Sequence, residues 1–335
     1  MSPLSLCVIA GDGIGREVVP AACRVLARLR PDIGMIEAEA GWDTFQRVGQ
    51  ALPDATLATA RACGAVLFGA VSSPSHRVDG YRSPIVALRR ALDTHANLRP
   101  VRPLGGIGRP DVDLLIVREN TEDLYIGEER SDGDTAEAIK RITRHASERV
   151  GRVAARLAAG RGGRLTIVHT ANILPRTDGL FRDSVRAAAS GWPALTLDEC
   201  LVDTAALRLV QHPEHFDVLV APNLYGDILS DLAAAHAGGL GLAASLNLGE
   251  QCAIAEPVHG SAPDIAGRGI ANPAATFASL ALLLRHHWRD ADSASRLDAA
   301  IDRVLAQGVR TPDLGGDASC EQVTRAVCDA VLASR

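Results

Sequence analysis

Residues 4–29 read LSLCVIAGDGIGREVVPAACRVLARL, and both halves of an α/β unit lie in that stretch. Leu4–Ala10 is a short, almost uninterrupted apolar run, which predicts a strand buried on both faces. Val18, Val19, Ala22, Leu26 and Leu29 then recur at helical spacing and mark one face of a helix. Gly11-Asp12-Gly13-Ile14-Gly15 joins the two. Phosphates often bind at such a place, because the first turn of a helix presents free N–H groups. The spacing is G-x-G-x-G, so the Rossmann fingerprint G-x-G-x-x-G fails, and a plain tight turn explains the glycines equally well.

The alternation continues along the chain. Ala65–Ala70, Val112–Val117, Leu165–Val168 and Val218–Ala221 read as further short strands. Helical patterns fall at 54–63, 84–94, 145–159, 178–190 and 227–237, and 273–335 is mainly helical. This order predicts an α/β fold with substantial parallel sheet. The 335 residues correspond to about two domains at roughly 150 residues each. Polar residues 127–144 look like an excursion from the main body, and Gly238–Gly249 reads as a tight loop against a core.

Composition removes several function classes. The net charge of −5 gives no basic field for nucleic acid, and 3% aromatic residues leave little for base stacking. No apolar stretch approaches the 18 residues that a membrane span needs. Met1–Ala10 lacks a basic leader segment, so a signal peptide is not expected. Seven scattered cysteines, with no Cys-x-x-Cys, predict reduced and mostly buried thiols in a cytoplasmic protein. Of the 35 basic residues only Lys140 is lysine.

Three groups of residues carry chemistry. Asp227 and Asp231 stand four apart on one helix face, where two carboxylates repel unless a cation or proton intervenes. Such a pair suits Mg²⁺ or Mn²⁺; a solvated acidic face, or charges complementing the helix dipole, are the alternatives. Arg89, Arg99 and Arg118 lie in three arginine-bearing segments, and converging guanidinium forks would bind a polycarboxylate; ordinary surface ion pairs are the other reading. Glu256–Gly267 is a Gly- and Pro-punctuated polar loop of the kind that carries function or simply structure.

Taken in order, GDGIG, LRR…ANLRP, VRENTEDLY, NLYGDILSD and EPVHGSAPDIAGRGIANP resemble the β-decarboxylating dehydrogenases, which include isocitrate, isopropylmalate, homoisocitrate and tartrate dehydrogenases. The likeness covers essentially the whole chain and is greatest toward the homoisocitrate enzymes of lysine biosynthesis by the aminoadipate route. It implies an isopropylmalate dehydrogenase-like two-domain α/β/α fold, not a Rossmann fold. Residues 1–98 and 254–335 would form the cofactor domain, and 99–253 the substrate and dimerisation domain. The excursion at about 127–144 would be an arm that interlocks two subunits and gives a homodimer with shared active sites.

The resemblance also implies roles. Arg89, Arg99 and Arg118 would clamp the carboxylates of a small hydroxy polycarboxylate, with Asn172 nearby and Val86 facing its variable arm. Asp227 and Asp231, with Asp203 from the partner chain, would hold Mg²⁺ or Mn²⁺ against the substrate hydroxyl, lowering its pKa and stabilising the later enolate. Hydride would pass to NAD, the β-keto acid would lose CO₂, and Tyr125 would help protonate the enol. Ser72 would face the nicotinamide ribose. His259, Gly260, Ala262, Asp264, Ile265 and Asn272 would bind adenosine, with Asp264 on the ribose hydroxyls favouring NAD over NADP.

One departure stands out. The family carries lysine in a His-Lys-x-Asn segment, and this chain has His169-Thr170-Ala171-Asn172. Threonine at 170 supplies no cation for proton transfer. The sequence therefore supports either a dehydrogenase with weakened or altered chemistry or a silent, ligand-binding homologue. Isopropylmalate, isocitrate and tartrate stand beside homoisocitrate as substrates, and Arg82 or His76 would have to meet a distal carboxylate because Val86 does not.

Overall fold

The computed structural model describes residues 4–76 and 78–333. The first three residues of the Met1–Ala10 segment, and the last two of the helical C-terminal stretch, lie outside the described residues. The chain forms two compact units. One comprises Met1–Thr94, Pro103–Gly108 and Ala237–Arg335, so both chain ends contribute to it; the other comprises His95–Arg102 and Arg109–His236.

The first unit opens with β1 (Ser5–Gly11), α1 (Gly15–Leu29), β2 (Gly34–Glu37), α2 (Trp42–Val48), α3 (Asp54–Cys63), β3 (Ala65–Ala70) and α4 (Pro84–Ala91). The chain then enters the second unit with β4 (Ala96–Val101), β5 (Leu114–Glu119), β6 (Glu129–Ser131), β7 (Ala136–Ala138), α5 (Arg144–Ala159) and β8 (Arg164–His169). There it continues through α6 (Thr177–Ala189), β9 (Thr196–Leu201), α7 (Val202–Gln211), β10 (Val218–Ala221) and α8 (Asn223–Ala234). It returns to the first unit with β11 (Ala244–Leu248), β12 (Ala253–Pro257), α9 (Ala274–His286), α10 (Ala291–Ala306) and α11 (Cys320–Ala333).

In the first unit the strand order is β2-β1-β3-β12-β11; all neighbours are parallel except β12 and β11. In the second it is β4-β5-β10-β8-β9, parallel except for β4 against β5. The predicted apolar runs lie within or overlap β1, β3, β5, β8 and β10, as expected for parallel strands buried on both faces. Cys7, Ile9, Val66, Phe68 and Ile254 form one core cluster of the first unit. Each large apolar side chain buried in this way contributes about 1.5–3 kcal/mol. The predicted face of α1 is buried at all five positions.

Two expectations change. Gly238–Gly249 is not only a loop: Ala244–Leu248 is β11, fully buried and paired antiparallel with β12. Helix α8 begins at Asn223 rather than 227, so Asp227 and Asp231 lie beyond its first turn. Residues 127–144 contain a two-stranded hairpin, β6 against β7, whose described side chains are exposed. That hairpin hands over to α5 through Thr143, whose side chain accepts the Ala146 N–H at 3.2 Å and caps the helix.

Candidate active site

The second unit assembles a compact charged cluster on α8. Arg118, at the end of β5, has a side chain only 2% exposed. Its Nε donates to the backbone and side-chain oxygens of Asn223, each at 3.0 Å, and Nη2 donates to Asn223 Oδ1 at 2.7 Å. Its Nη1 reaches Asp227 Oδ1 at 2.5 Å. Gly226 makes this approach feasible, because a Cβ there would lie 2.7 Å from Arg118 Cγ. Arg99, on β4, is also buried; its Nε donates to Asn97 Oδ1 at 2.7 Å and its Nη1 to Ser230 Oγ at 2.7 Å. Its remaining reach is to carboxylates: Nη1 lies 3.0 Å from Asp231 Oδ1, and Nη2 lies 3.1 Å from Asp227 Oδ1.

The surroundings of these groups bear on the alternatives that the sequence leaves open, with Asp227 partly buried and Asp231 exposed. Arg99 and Arg118 are buried arginines fixed by amide and hydroxyl oxygens, not members of exposed surface pairs. Asp227 and Asp231 are too far along α8 for helix-dipole complementation, which fades beyond the first turn. Burial pushes the Asp231 carboxyl above its usual range; Arg99 opposes this and Asp227 adds to it. The pair offers hard oxygen donors one turn apart, the donor chemistry that Mg²⁺ or Mn²⁺ takes.

Tyr125 completes the cluster. It sits in a 3-10 turn, Leu124–Ile126, and its hydroxyl donates to Asp227 Oδ2 at 2.5 Å. The Arg118 guanidinium lies 4.9 Å from its ring centroid. Burial, helped by the hydrogen bond to Asp227, raises the phenol pKa, while Arg118 opposes the rise. Tyr125 is therefore a proton donor across the neutral range.

Other expected residues lie elsewhere. Asp203 is exposed in the first turn of α7, where its Oδ1 accepts the Thr204 N–H at 2.6 Å. Among the described residues it forms no metal-spaced trio with Asp227 and Asp231. The trio that does have such spacing is the exposed His212, Glu214 and His215, and Glu214 already pairs with His212 and Arg109. Thr170 follows β8; its amide donates to Asp178 Oδ2 at 2.7 Å and its hydroxyl to Asn172 Oδ1 at 3.2 Å. Arg89 belongs to the first unit, on α4, with Val86 one turn before it, and it pairs with the buried Glu256.

In the first unit, backbone contacts knit the glycine turn to the polar loop. Ile14 N–H donates to Ser261 O at 2.9 Å, and Asp12 N–H to Ala70 O at 2.7 Å. A Cβ on Gly13 would lie 2.1 Å from Ser261 O. These glycines thus serve close packing, and the tight-turn reading accounts for them. Ser72 Oγ donates to Ser261 Oγ at 3.0 Å, which puts Ser72 beside the loop holding His259, Gly260, Ala262, Asp264 and Ile265. Ala262 has φ +39°, an uncommon conformation for a residue with a Cβ. His259 Nε2 is buried without a hydrogen-bond partner, and burial lowers the pKa of the ring. Asn272 Nδ2 donates to Asp313 Oδ2 at 3.0 Å, while Asp264 is exposed.

Sequence reading missed the residues that aim the arginines. Asn223 is one helical turn before Asp227, Ser230 is three residues after it, and Asn97 is two residues before Arg99 on the same strand face. Those spacings could have identified all three.

Known proteins resemble this chain along nearly its whole length. The profile of the isocitrate/isopropylmalate dehydrogenase family matches residues 5–329. An isocitrate/homoisocitrate dehydrogenase of Thermus thermophilus is 52% identical over 329 residues, covering 97% of this chain and 98% of the relative. A 3-isopropylmalate dehydrogenase of Archaeoglobus fulgidus is 46% identical over 313 residues, with 92% and 94% covered. The crystal structure of isocitrate dehydrogenase from Methylococcus capsulatus superposes with a TM-score of 0.92 at 41% identity, covering 98% of this chain and 99% of that one. The chain belongs to the isocitrate/isopropylmalate dehydrogenase family.

Proposed function

We propose that the chain is an NAD-linked, divalent-metal-dependent dehydrogenase that oxidatively decarboxylates a 3-substituted malate, with homoisocitrate the foremost substrate and 2-oxoadipate the product. The observation that carries this reading is the convergence of Arg99, Arg118, Tyr125, Asp227 and Asp231. Two buried cations held rigid by Asn97, Ser230 and Asn223 are preorganised for substrate carboxylates. Asp227 and Asp231, with the partner's Asp203, would hold Mg²⁺ or Mn²⁺. A bound cation would supply Lewis acidity toward the substrate hydroxyl and counter-charge for the enolate. Tyr125, kept protonated, delivers a proton to the enol carbon.

Bound NAD would supply the hydride acceptor. The loop around Ser261 fits the cofactor: it carries a strained Ala262, a buried and unpartnered His259 nitrogen, and the exposed carboxylate of Asp264, which disfavours a 2′-phosphate. Arg82 lines an open cavity of about 560 Å³ with His76 and Tyr81 and would offer a guanidinium to a distal carboxylate, whereas Val86 offers no charge. This favours homoisocitrate or isocitrate over isopropylmalate. None of the seven cysteines is in a disulfide, which suits a reducing, cytoplasmic setting. Among the described residues no helix is long and apolar enough to cross a membrane.

The test is NADH formation with Mg²⁺ across a panel of 3-substituted malates, beside calorimetric binding. Homoisocitrate should react best, and Asp227→Asn should abolish Mg²⁺-dependent substrate binding while leaving the fold intact. Unchanged binding in that variant would remove the metal assignment. Binding without turnover in every case would instead favour a silent homologue, the reading that Thr170 supports.

A further inference from the structure

Lys140 is the single lysine among 35 basic residues, and it is placed unlike an ordinary surface charge. Its side chain is 12% exposed, two residues beyond the exposed hairpin strand β7. Its Nζ lies 2.5 Å from Asp178 Oδ1 and 3.8 Å from Asp123 Oδ1, and both carboxylates are buried. The same nitrogen donates to the Tyr225 hydroxyl at 3.1 Å and stands 4.2 Å from that ring's centroid. An ammonium is compact enough to sit among these groups, whereas a planar guanidinium needs a wider, coplanar acceptor set.

The far oxygens of the two carboxylates hold backbone. Asp178 Oδ2 accepts the Thr170 N–H at 2.7 Å, and Asp123 Oδ2 accepts the Leu224 N–H at 2.8 Å in the first turn of α8. Asp123 itself has φ +66°, and its amide donates to Arg141 O at 2.8 Å, which ties it to the residue after Lys140. Tyr125 follows Asp123 by two residues, and Asp227 follows Leu224 by three.

We propose that Lys140 is a positioning residue: its ammonium bridges Asp178 and Asp123 and so fixes, in one register, the Thr170–Asn172 segment, the Tyr125 turn and the start of α8. The hairpin of residues 127–144 and the candidate site therefore share one charge. Without it, two buried carboxylates face each other uncompensated, and their hold on the Thr170 and Leu224 amides loosens. This role rests on the proposed function only for its catalytic consequence.

The experiment is backbone amide exchange on the full chain, resolved to peptides covering 169–173 and 222–226. Lys140→Met should speed exchange in both by about tenfold or more, while peptides of β10 keep their protection. Lys140→Gln, which keeps a donor and loses the charge, is the second variant should the first fail to fold, and should give the same paired loss. Lys140→Arg, which restores charge, should recover part of the protection. Unchanged exchange at both segments, or loss spread evenly over the unit, overturns the proposal. In steady state Lys140→Met should lower kcat with little change in the KM for NAD. Failure of the unmodified chain to turn over would count against the proposed function and leave the exchange result standing.

Discussion

Asp227 takes three contacts at once: Arg118 and Arg99 on Oδ1 and the Tyr125 hydroxyl on Oδ2. Two of these contacts are guanidinium charges, placed beside a carboxylate that stands one turn from Asp231. The arginine-to-carboxylate contacts also define what a polycarboxylate ligand meets, since each guanidinium is already fixed along one edge by a neutral oxygen. Thr170 contrasts with this completeness. Its hydroxyl is engaged with Asn172, and it has no ionisable proton near neutral pH. Ground-state binding should therefore survive in this chain while proton transfer is slow. Thr170→Lys should raise kcat by roughly 10²–10⁴-fold with a much smaller change in substrate dissociation constant. Steady-state NADH formation from homoisocitrate, set beside direct binding for both versions, checks this. Brisk turnover by the Thr170 chain with no gain from lysine would mean that another group carries the proton.

At the scale of elements, the site depends on where helices begin. Helix α8 starts four residues earlier than its apolar periodicity indicates, and Arg118 donates to the Asn223 backbone oxygen in its first turn. The fully buried β12 went unread, whereas β1, β3, β5, β8, β10 and the buried face of α1 were legible because their periods are local properties of the chain. β11 was not, since Ala244–Leu248 is short and glycine-flanked and gains its conformation only from pairing with β12. In the site, Arg99, Arg118, Asp227 and Asp231 were legible as residue types at telling spacings. The roles of Asp123, Asp178 and Glu256 were not, because each acts through a contact distant in sequence. A further long-range contact bears on helix stability. Asp290 caps α10 by accepting the Ser293 N–H at 3.0 Å and also pairs with Arg30. Burial raises its pKa, but the Ser293 hydrogen bonds and Arg30 outweigh that and leave it lowered. A lowered carboxyl stabilises the fold above its unfolded pKa and loses that contribution as pH falls through the folded value. Asp290→Ala should therefore cost about 1 kcal/mol at pH 7, and less as pH drops toward 3. Denaturant titrations at several pH values measure the gap; a gap of constant size would refute the ionic part of this account.

At the scale of the whole molecule, Asp203 stands apart from the carboxylates it is expected to join. Asp203 does not gather with Asp227 and Asp231, although all three belong to the second unit. Leu207 and Val210 on α7, and Ile228 on α8, are large apolar side chains more than half exposed. Helices α7 and α8 pack against each other, so these residues lie on one part of the second unit where a second copy would bury them. A homodimer in which each site takes Asp203 from its neighbour would account for both observations. The sharpest test is complementation between two inactive variants. Asp203→Asn and Asp227→Asn should each be inactive as homodimers. In a mixed dimer, the chain with intact Asp227 receives intact Asp203 from the other, so one of the two sites is whole. Equal co-expression should then recover about a quarter of the unmodified activity, since about half the dimers are mixed and each carries one working site. A site built from a single chain would recover nothing, because every chain would carry a lesion in its own ligands. Sedimentation of the unmodified protein at micromolar concentration should show twice the mass of one chain, and a folded monomer with full activity would exclude sharing altogether.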